Sequence, residues 1–140
     1  MRFLLDTHAV LWWLSNDRRL GEQSRDIIEN PANDIMVSVA SLWEIVVKVR
    51  VGKLQADITE VIRALEAEAF DFLAVQPTHL QRLAELPSHH RDPFDHLLMA
   101  QAIAENATFM SEDGHAPLYP VRFIRCSDAI APSDPAYQSG

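Results

Sequence analysis

The chain has 140 residues, 48% of them hydrophobic and 23% charged, which is typical of one globular domain and too short for two ordinary ones. Its net charge of −8 gives no basic balance that would indicate nucleic acid directly, so the acids serve solubility or surround a cation. The single cysteine, Cys126, excludes an intrachain disulfide and a cysteine-based zinc site. With no signal peptide and no apolar run near the roughly 20 residues of a membrane span, we expect a cytoplasmic protein without membrane association.

Short apolar segments alternate with helical stretches along most of the chain. The predicted strands are residues 3–5, 34–39, 72–75, 108–111 and 121–125. The predicted helices are residues 8–14, 20–28, a segment ending near 50, 58–69, 78–86 and 92–105. This alternation favours an α/β fold with a mostly parallel central sheet flanked by helices on both faces. We assign residues 1–130 to this one domain and residues 131–140, which resemble a disordered segment, to a flexible C-terminal tail.

Several residues are expected to mark helix ends. Ser38 or Ser41 is predicted to cap the third helix, and Gly52 to follow its last turn. Thr78 is a candidate cap for the fifth helix. Asp92-Pro93 predicts the start of the sixth helix, because Asp is a good N-cap and Pro suits the first helical position.

Two acids directly follow predicted strands, where open parallel sheets bind their ligands. Asp6 follows the first strand, and Asp113 follows the fourth. Each also has a simpler interpretation. Asp6 is a good helix cap, and Asp113 precedes Gly114 in a common turn pair.

Two further acids lie on helices. Glu44 belongs to a helix that is apolar over most of its circumference, so full solvation is not expected; its simple partner is Lys48, four residues on. A pair of that kind contributes only about 0.2–0.5 kcal/mol, which is weak justification for a carboxylate in apolar surroundings. Asp95 is the third residue of its helix, where an acid favours the positive end of the helix dipole. We assign Asp92 to capping and Asp95 to a site.

The proposed topology can bring all four acids to one edge of the sheet. Carboxylates gathered in this way repel one another and raise their pKa values, and a divalent cation relieves that repulsion. Oxygen ligands favour Mg²⁺ or Mn²⁺ over zinc. Such ions activate water and stabilise the leaving oxygen in phosphodiester hydrolysis, and the pattern leaves one ion or two open.

Four segments in order along the chain resemble motifs of the PIN-domain family, in particular toxin ribonucleases of the VapC type. The segments are residues 1–8 (MRFLLDTH), 38–45 (SVASLWEI), 90–102 (HRDPFDHLLMAQA) and 109–113 (FMSED) with 119–121 (YPV) behind it. Each motif alone is weak, and the ordered set is specific.

The resemblance implies a PIN-like fold and a Mg²⁺- or Mn²⁺-dependent endoribonuclease. It also implies an antitoxin protein that covers the active site, and often a homodimer. Matched motif by motif, the catalytic and metal-binding residues are Asp6, Glu44, Asp95 and Asp113. Residues expected to support the site or contact substrate are Thr7, Ser111, Asp92, Arg91 and His96. His96 stands where arginine is commoner in the family, and Ser111 where threonine is commoner.

Other sequence features bear on RNA binding. Possible basic rims are residues 89–91, Arg18 with Arg19, and the set Lys48, Arg50 and Lys53, although ordinary solvated charge explains each of them. Trp12 and Trp13 are suited to stacking on bases, but core or dimer packing is the better interpretation for at least one of them.

Two alternatives stay open: another small Mg²⁺-dependent phosphohydrolase, and a non-catalytic metal- or RNA-binding module with a PIN-like fold. An aspartyl-phosphate phosphatase usually carries a second Asp two residues after the first, where this chain has His8. A receiver-like or RNA-holding module without turnover remains the alternative outside enzymes, and the complete set of four acids argues against it. The sequence has no Gly-rich nucleotide loop and no serine-hydrolase elbow.

Overall fold

The computed structural model describes residues 1–89 and 92–128. Its strands are β1 (Arg2–Leu5), β2 (Asp34–Ser38), β3 (Asp71–Leu73), β4 (Thr108–Ser111) and β5 (Phe123–Arg125). Its helices are α1 (Thr7–Leu14), α2 (Glu22–Glu29), α3 (Val39–Arg50), α4 (Ile58–Ala67), α5 (Pro77–Glu85) and α6 (Pro93–Ala104). A short 3-10 turn, Ala116–Leu118, lies between β4 and β5. No helix within these residues is long and apolar enough to cross a membrane.

All five strands pair in parallel in the order β3-β2-β1-β4-β5, which confirms the predicted α/β fold. Successive β1 residues face opposite sides of the sheet. Phe3 and Leu5 join one buried cluster with residues of α1, α2, α3 and α4, and Leu4 joins a second cluster with residues of α6. Helices therefore cover both faces, as predicted.

A buried polar link fixes α6 against the middle of the sheet. Gln101 is fully buried on α6, and its Oε1 accepts a hydrogen bond of 2.6 Å from the Ser38 hydroxyl at the end of β2. The Gln101 amide nitrogen lies 3.2 Å from Nδ1 of His79 on α5. Since buried polar groups are costly unless hydrogen-bonded, this link favours one position of α6 along the sheet.

Several predicted boundaries were wrong by one or two residues. The helix expected at residues 20–28 begins at Glu22, and the helix expected at 58–69 ends at Ala67, before Ala69 takes a positive φ of 59°. The strands expected at 72–75 and 121–125 are Asp71–Leu73 and Phe123–Arg125, and the first helix begins at Thr7. Element ends are weakly specified by sequence pattern because terminal residues lack half of their regular partners.

The predicted caps have mixed outcomes. Ser38, and not Ser41, caps α3 by accepting a hydrogen bond from the backbone N–H of Ala40. Asp92 caps α6 as predicted, and Gly52 has a positive φ of 77° after the end of α3. Thr78 was the wrong cap for α5. Gln76 occupies that position, and its backbone N–H donates to Nδ1 of His79. The predicted tail, residues 131–140, lies outside the described residues.

Candidate active site

A cavity of about 270 Å³ opens at the carboxyl edge of the sheet, where β1 and β4 end. The residues that line it are Asp6, His8, Trp12, Asp95, Glu112 and Asp113. They come from the β1–α1 junction, the start of α6 and the loop after β4. Three of the four acids singled out from the sequence therefore face one space.

Asp6 is held at this edge of the sheet by backbone hydrogen bonds. Its carboxylate accepts hydrogen bonds from the backbone N–H groups of Ala9, at 2.7 Å, and Glu112, at 3.2 Å. Its own N–H donates to the carbonyl of Met110, so Asp6 also continues the β1–β4 pairing. Burial raises the pKa of Asp6, and the hydrogen bonds from Ala9 and from the Ser111 hydroxyl oppose that rise. The capping interpretation and the site interpretation describe the same side chain.

Ser111 connects two acids of the cavity. Its hydroxyl hydrogen-bonds the Asp6 carboxylate and accepts the backbone N–H of Asp113 at 3.0 Å. Asp113 is fixed on its other side by His115, whose backbone N–H and Nδ1 lie 2.9 Å and 3.0 Å from Oδ1. The loop after β4 thus sets the position of Asp113 through short local contacts.

Asp95 lies at the first turn of α6 with a strongly perturbed carboxyl group. Burial, a hydrogen bond with the Asp113 side chain and the charge of Asp92 raise the pKa of Asp95 to about 9. The contact with Asp113 makes the charged form of Asp95 costly, so near neutral pH the Asp95 carboxyl keeps its proton. A divalent cation is the chemical alternative to that proton.

Glu44 does not line the cavity, although it is buried, with 5% of its surface exposed. Its Oε1 accepts a hydrogen bond of 2.7 Å from the Thr7 hydroxyl, and its Oε2 forms a 2.7 Å ion pair with Lys48. Thr7 follows Asp6 directly, so Glu44 connects to the site through that residue. The simple Lys48 partner considered in the sequence is present, and Thr7 supplies a second contact.

Glu112 is an acid of the cavity that sequence reasoning missed. Burial raises its pKa, but hydrogen bonds from the Ser127 hydroxyl and backbone N–H and the charge of Arg125 outweigh that rise, so the pKa of Glu112 is lowered. Glu112 is therefore ionised and already well bonded. The signal that could have found it is its place between Ser111 and Asp113, directly after a central strand.

The remaining predicted residues have other surroundings. Asp92 accepts hydrogen bonds from the N–H groups of Phe94 and Asp95, which fixes the start of α6. His96 does not line the cavity; its Nε2 lies 3.0 Å from the hydroxyl of Tyr119. Arg91 and His90 lie outside the described residues, so the structure does not place their side chains.

One wall of the cavity is aromatic. The rings of His8 and Trp12 lie 5.7 Å apart on successive turns of α1, tilted by 43°. The guanidinium carbon of Arg19 lies 4.9 Å from the centre of the Trp12 ring, which is a cation–π contact. Trp13 points elsewhere and packs against Phe70. We call His8 and Trp12 the aromatic wall.

The donor set suits a hard divalent cation, because Asp6, Asp95 and Asp113 offer only carboxylate oxygens to the cavity. Within residues 1–89 and 92–128, however, no group of three or more His, Cys, Asp or Glu side chains is already arranged as a metal site. In this arrangement the Asp95 carboxyl contacts Asp113, and Glu44 is engaged by Thr7 and Lys48.

Residues 3–120 match the PIN domain family. The VapBC2 complex of Rickettsia felis bound to promoter DNA contains a chain of the same fold, with a TM-score of 0.70 and 17% identity, covering 89% of this chain and 98% of that one. Similar chains occur in VapBC-1 of nontypeable Haemophilus influenzae (TM-score 0.64, 13% identity, 90% and 98% covered) and in FitAcB of Neisseria gonorrhoeae (0.63, 18%, 89% and 97%). No curated protein sequence is significantly similar to this chain.

Proposed function

Since the chain belongs to the PIN domain family, we propose that it is a metal-dependent endoribonuclease that hydrolyses RNA phosphodiester bonds as the toxin of a toxin–antitoxin pair. The observation that carries this proposal is the convergence of Asp6, Asp95 and Asp113 on one cavity from three separate segments. Asp95 and Asp113 are also in direct contact, an arrangement whose charge repulsion a proton or a cation relieves.

We assign Asp6, Asp95 and Asp113 as the residues that hold Mg²⁺ or Mn²⁺. A bound divalent ion at such a site lowers the pKa of water and stabilises the developing charge of phosphodiester hydrolysis. The protein supplies the arrangement of the ligands. Backbone N–H groups orient the Asp6 carboxylate, and Ser111 keeps Asp6 and Asp113 at a fixed separation.

Because the pKa of Asp95 is raised to about 9, this carboxyl holds a proton at neutral pH. A divalent cation held here would have to displace that proton, since carboxylates bind metal ions in their deprotonated form. Glu44, the fourth acid of the proposed catalytic set, contributes to the position of Asp6 indirectly. It holds the Thr7 hydroxyl, and with it the residue next to Asp6, while Lys48 balances its charge.

Cleavage of a mixed, structured RNA pool tests the proposal. The purified chain is expected to cut RNA with Mn²⁺ or Mg²⁺ and not with EDTA. Asp95→Asn and Asp6→Asn are expected to lose cutting, because each removes an anionic ligand while keeping side-chain size. Asp26→Asn, which removes an exposed acid of α2, is the matched control and is expected to cut like the unchanged chain.

Full metal-dependent cutting by Asp95→Asn would contradict the site assignment. Absence of cutting by the unchanged chain on every RNA offered, with metal bound, would instead favour the binding module considered from the sequence. Circular dichroism of each variant separates loss of ligand from loss of fold.

The proposal includes protein partners and a cytoplasmic site of action on RNA. Chains of the same fold occur in toxin–antitoxin complexes, including one from Klebsiella pneumoniae, at 18% identity. We propose that an antitoxin covers the acidic cavity and that the chain pairs as a homodimer.

Expression is expected to arrest growth, and coexpression of the small protein encoded beside it is expected to relieve the arrest. Sedimentation measures the dimer. Growth arrest that is unchanged by a coexpressed, stably bound partner would contradict the antitoxin role.

A further inference from the structure

The aromatic wall stands beside the acids and has no part in holding them. His8 and Trp12 line the same cavity as Asp95 and Asp113, so a group seated on the wall lies next to the carboxylates. Trp12 is half-buried and His8 is exposed, which leaves ring surface open to the cavity. Trp13 on the same helix lacks this position, since it packs against Phe70.

Arg19 fixes the wall from outside. Its side chain lies across Trp12, and its guanidinium forms a close ion pair with Asp17, with NH2 2.7 Å from Oδ2. Asp17 also accepts the backbone N–H of Arg19 at 2.9 Å, so the turn after α1 holds this residue at two points. The guanidinium therefore lies over the Trp12 ring with its charge balanced by Asp17, and it favours one orientation of the indole.

These observations suit one chemical group. A flat aromatic surface next to a phosphodiester-binding site is suited to stacking on a nucleobase. A base within a duplex has both of its faces stacked on neighbours, whereas a base in a single strand has a face available.

We propose that the aromatic wall is a subsite for one unpaired nucleobase of single-stranded RNA, next to the phosphate that is cut. This inference rests on the proposed nuclease function for the nature of its ligand. Trp12 stacks on the base, His8 extends the surface, and Arg19 holds the indole in place.

Binding of a fluorescein-labelled single-stranded RNA octamer tests the subsite. Ca²⁺ replaces Mg²⁺ to limit cutting, and a denaturing gel shows that the strand is intact. Trp12→Ala is expected to weaken binding about tenfold, as for the loss of one stacked base, while Trp12→Phe stays within about threefold. Trp43→Ala is the matched control, since Trp43 is 59% exposed and lies outside the cavity lining, and we expect unchanged binding. The unchanged chain is expected to bind the octamer more tightly than the duplex of the same sequence.

A set of eight octamers, each with one abasic position, separates stacking from a structural effect. One abasic position is expected to weaken binding by the unchanged chain and to have little further effect on Trp12→Ala. His8→Ala, which removes an exposed ring, gives a second test if Trp12→Ala fails to fold.

Equal losses for Trp12→Ala and Trp43→Ala, or no abasic position that distinguishes Trp12→Ala from the unchanged chain, would overturn the inference. So would tighter binding to duplex. Failure of the proposed function gives a different result: with Mn²⁺ the unchanged chain would bind the strand through Trp12 and leave it uncut. Cutting at an unchanged rate and KM in Trp12→Ala and His8→Ala would preserve the nuclease and overturn the subsite.

Discussion

Asp95 shows how burial and proximity govern the chemistry of a single residue here. Its carboxyl group is partly withdrawn from water and contacts Asp113, so its neutral form is favoured over a wide pH range. Asp6 is buried more deeply, but backbone N–H groups oppose the rise in its pKa. Two acids of one cavity thus have raised pKa values with burial as the main cause and different neighbours around them.

Asp95 predicts a pH dependence of stability in EDTA. Its pKa is about 9 when folded and near 3.8 when unfolded, so between these values the folded chain binds more protons. The stabilisation from this group is full below about pH 4 and is lost as pH rises towards about 9. Urea unfolding at about pH 5, 7 and 9 is therefore expected to show a steeper decline for the unchanged chain than for Asp95→Asn. Parallel pH profiles of the unchanged chain and Asp95→Asn would contradict the raised pKa of Asp95.

Glu44 predicts a smaller effect than the cavity acids. Glu44→Gln keeps a hydrogen-bond partner for the Thr7 hydroxyl and removes the charge that pairs with Lys48. We expect Mn²⁺ affinity to fall about tenfold, as for residues that orient a ligand, with cutting recovered at high metal concentration. The measurement is the Mn²⁺ dependence of the cutting rate. Irrecoverable loss would mean that Glu44 binds the metal directly, and no change would mean that it serves the fold alone.

At the residue scale, the acids that follow strands could be predicted from the sequence. Asp6 and Asp113 could be found because acids that follow parallel strands meet at one edge. The contacts of Glu44 with Thr7, and of Arg19 with Trp12, could not be found. The first joins residues 37 apart in sequence, and the second crosses the turn after α1. Hydropathy patterns carry no information on such side-chain directions.

At the element scale, α2 has a cap that comes from the end of the described chain. Its N-cap, Gly21, has no side chain to accept a hydrogen bond. Asp128 supplies one instead, accepting the backbone N–H groups of Glu22 at 3.1 Å and Gln23 at 3.3 Å. The Ser24 hydroxyl donates to the carbonyl of Cys126, so the segment after β5 is fastened across the start of α2.

Gly21→Ala is expected to disrupt this fastening. A Cβ at position 21 would lie 2.1 Å from Oδ1 of Asp128 and 2.6 Å from its backbone nitrogen, so the segment must move. We expect a loss of about 1–3 kcal/mol in the free energy of unfolding, in the range of overpacked sites, measured with urea. Gly114→Ala is the control, because a Cβ there meets no atom within 4 Å. Equal stabilities of the two variants would contradict the docking of this segment.

The types of the elements could be predicted where apolar periodicity was long. Most of their boundaries could not be predicted to the residue. The strand Thr108–Ser111 and the cap of α6 at Asp92 were found because polar residues bound each element sharply. Gln76 was missed as the cap of α5 because it acts together with His79, a pairing outside the usual Ser, Thr, Asp and Asn preference. The 3-10 turn Ala116–Leu118 gave no periodic signal in three residues.

At the scale of the whole molecule, net charge and function oppose each other. A chain of net charge −8 repels RNA over long range, and a divalent cation held by the cavity acids would offset that repulsion locally. The acidic composition noted at the start is therefore compatible with a nuclease whose cation inverts the local field.

We therefore expect added salt to change RNA affinity in opposite directions without and with a bound divalent cation. In EDTA, binding of the labelled octamer is expected to strengthen as NaCl rises from about 20 to about 200 mM, because salt screens repulsion between two anions. With Ca²⁺, binding is expected to weaken over the same range, as for phosphate contacts generally. Fluorescence anisotropy measures both series. A matching steep decline in the two series would show that basic residues, and not the cation, attract the RNA.

The most direct test of the proposed metal centre is calorimetric titration of Mn²⁺ into the chain near neutral pH, in two buffers of different ionisation enthalpy. We expect saturable binding with release of protons, lost in Asp95→Asn and retained in Asp26→Asn. Unaltered Mn²⁺ binding by Asp95→Asn, or saturable binding without proton release, would contradict the claim that these carboxylates form a metal centre.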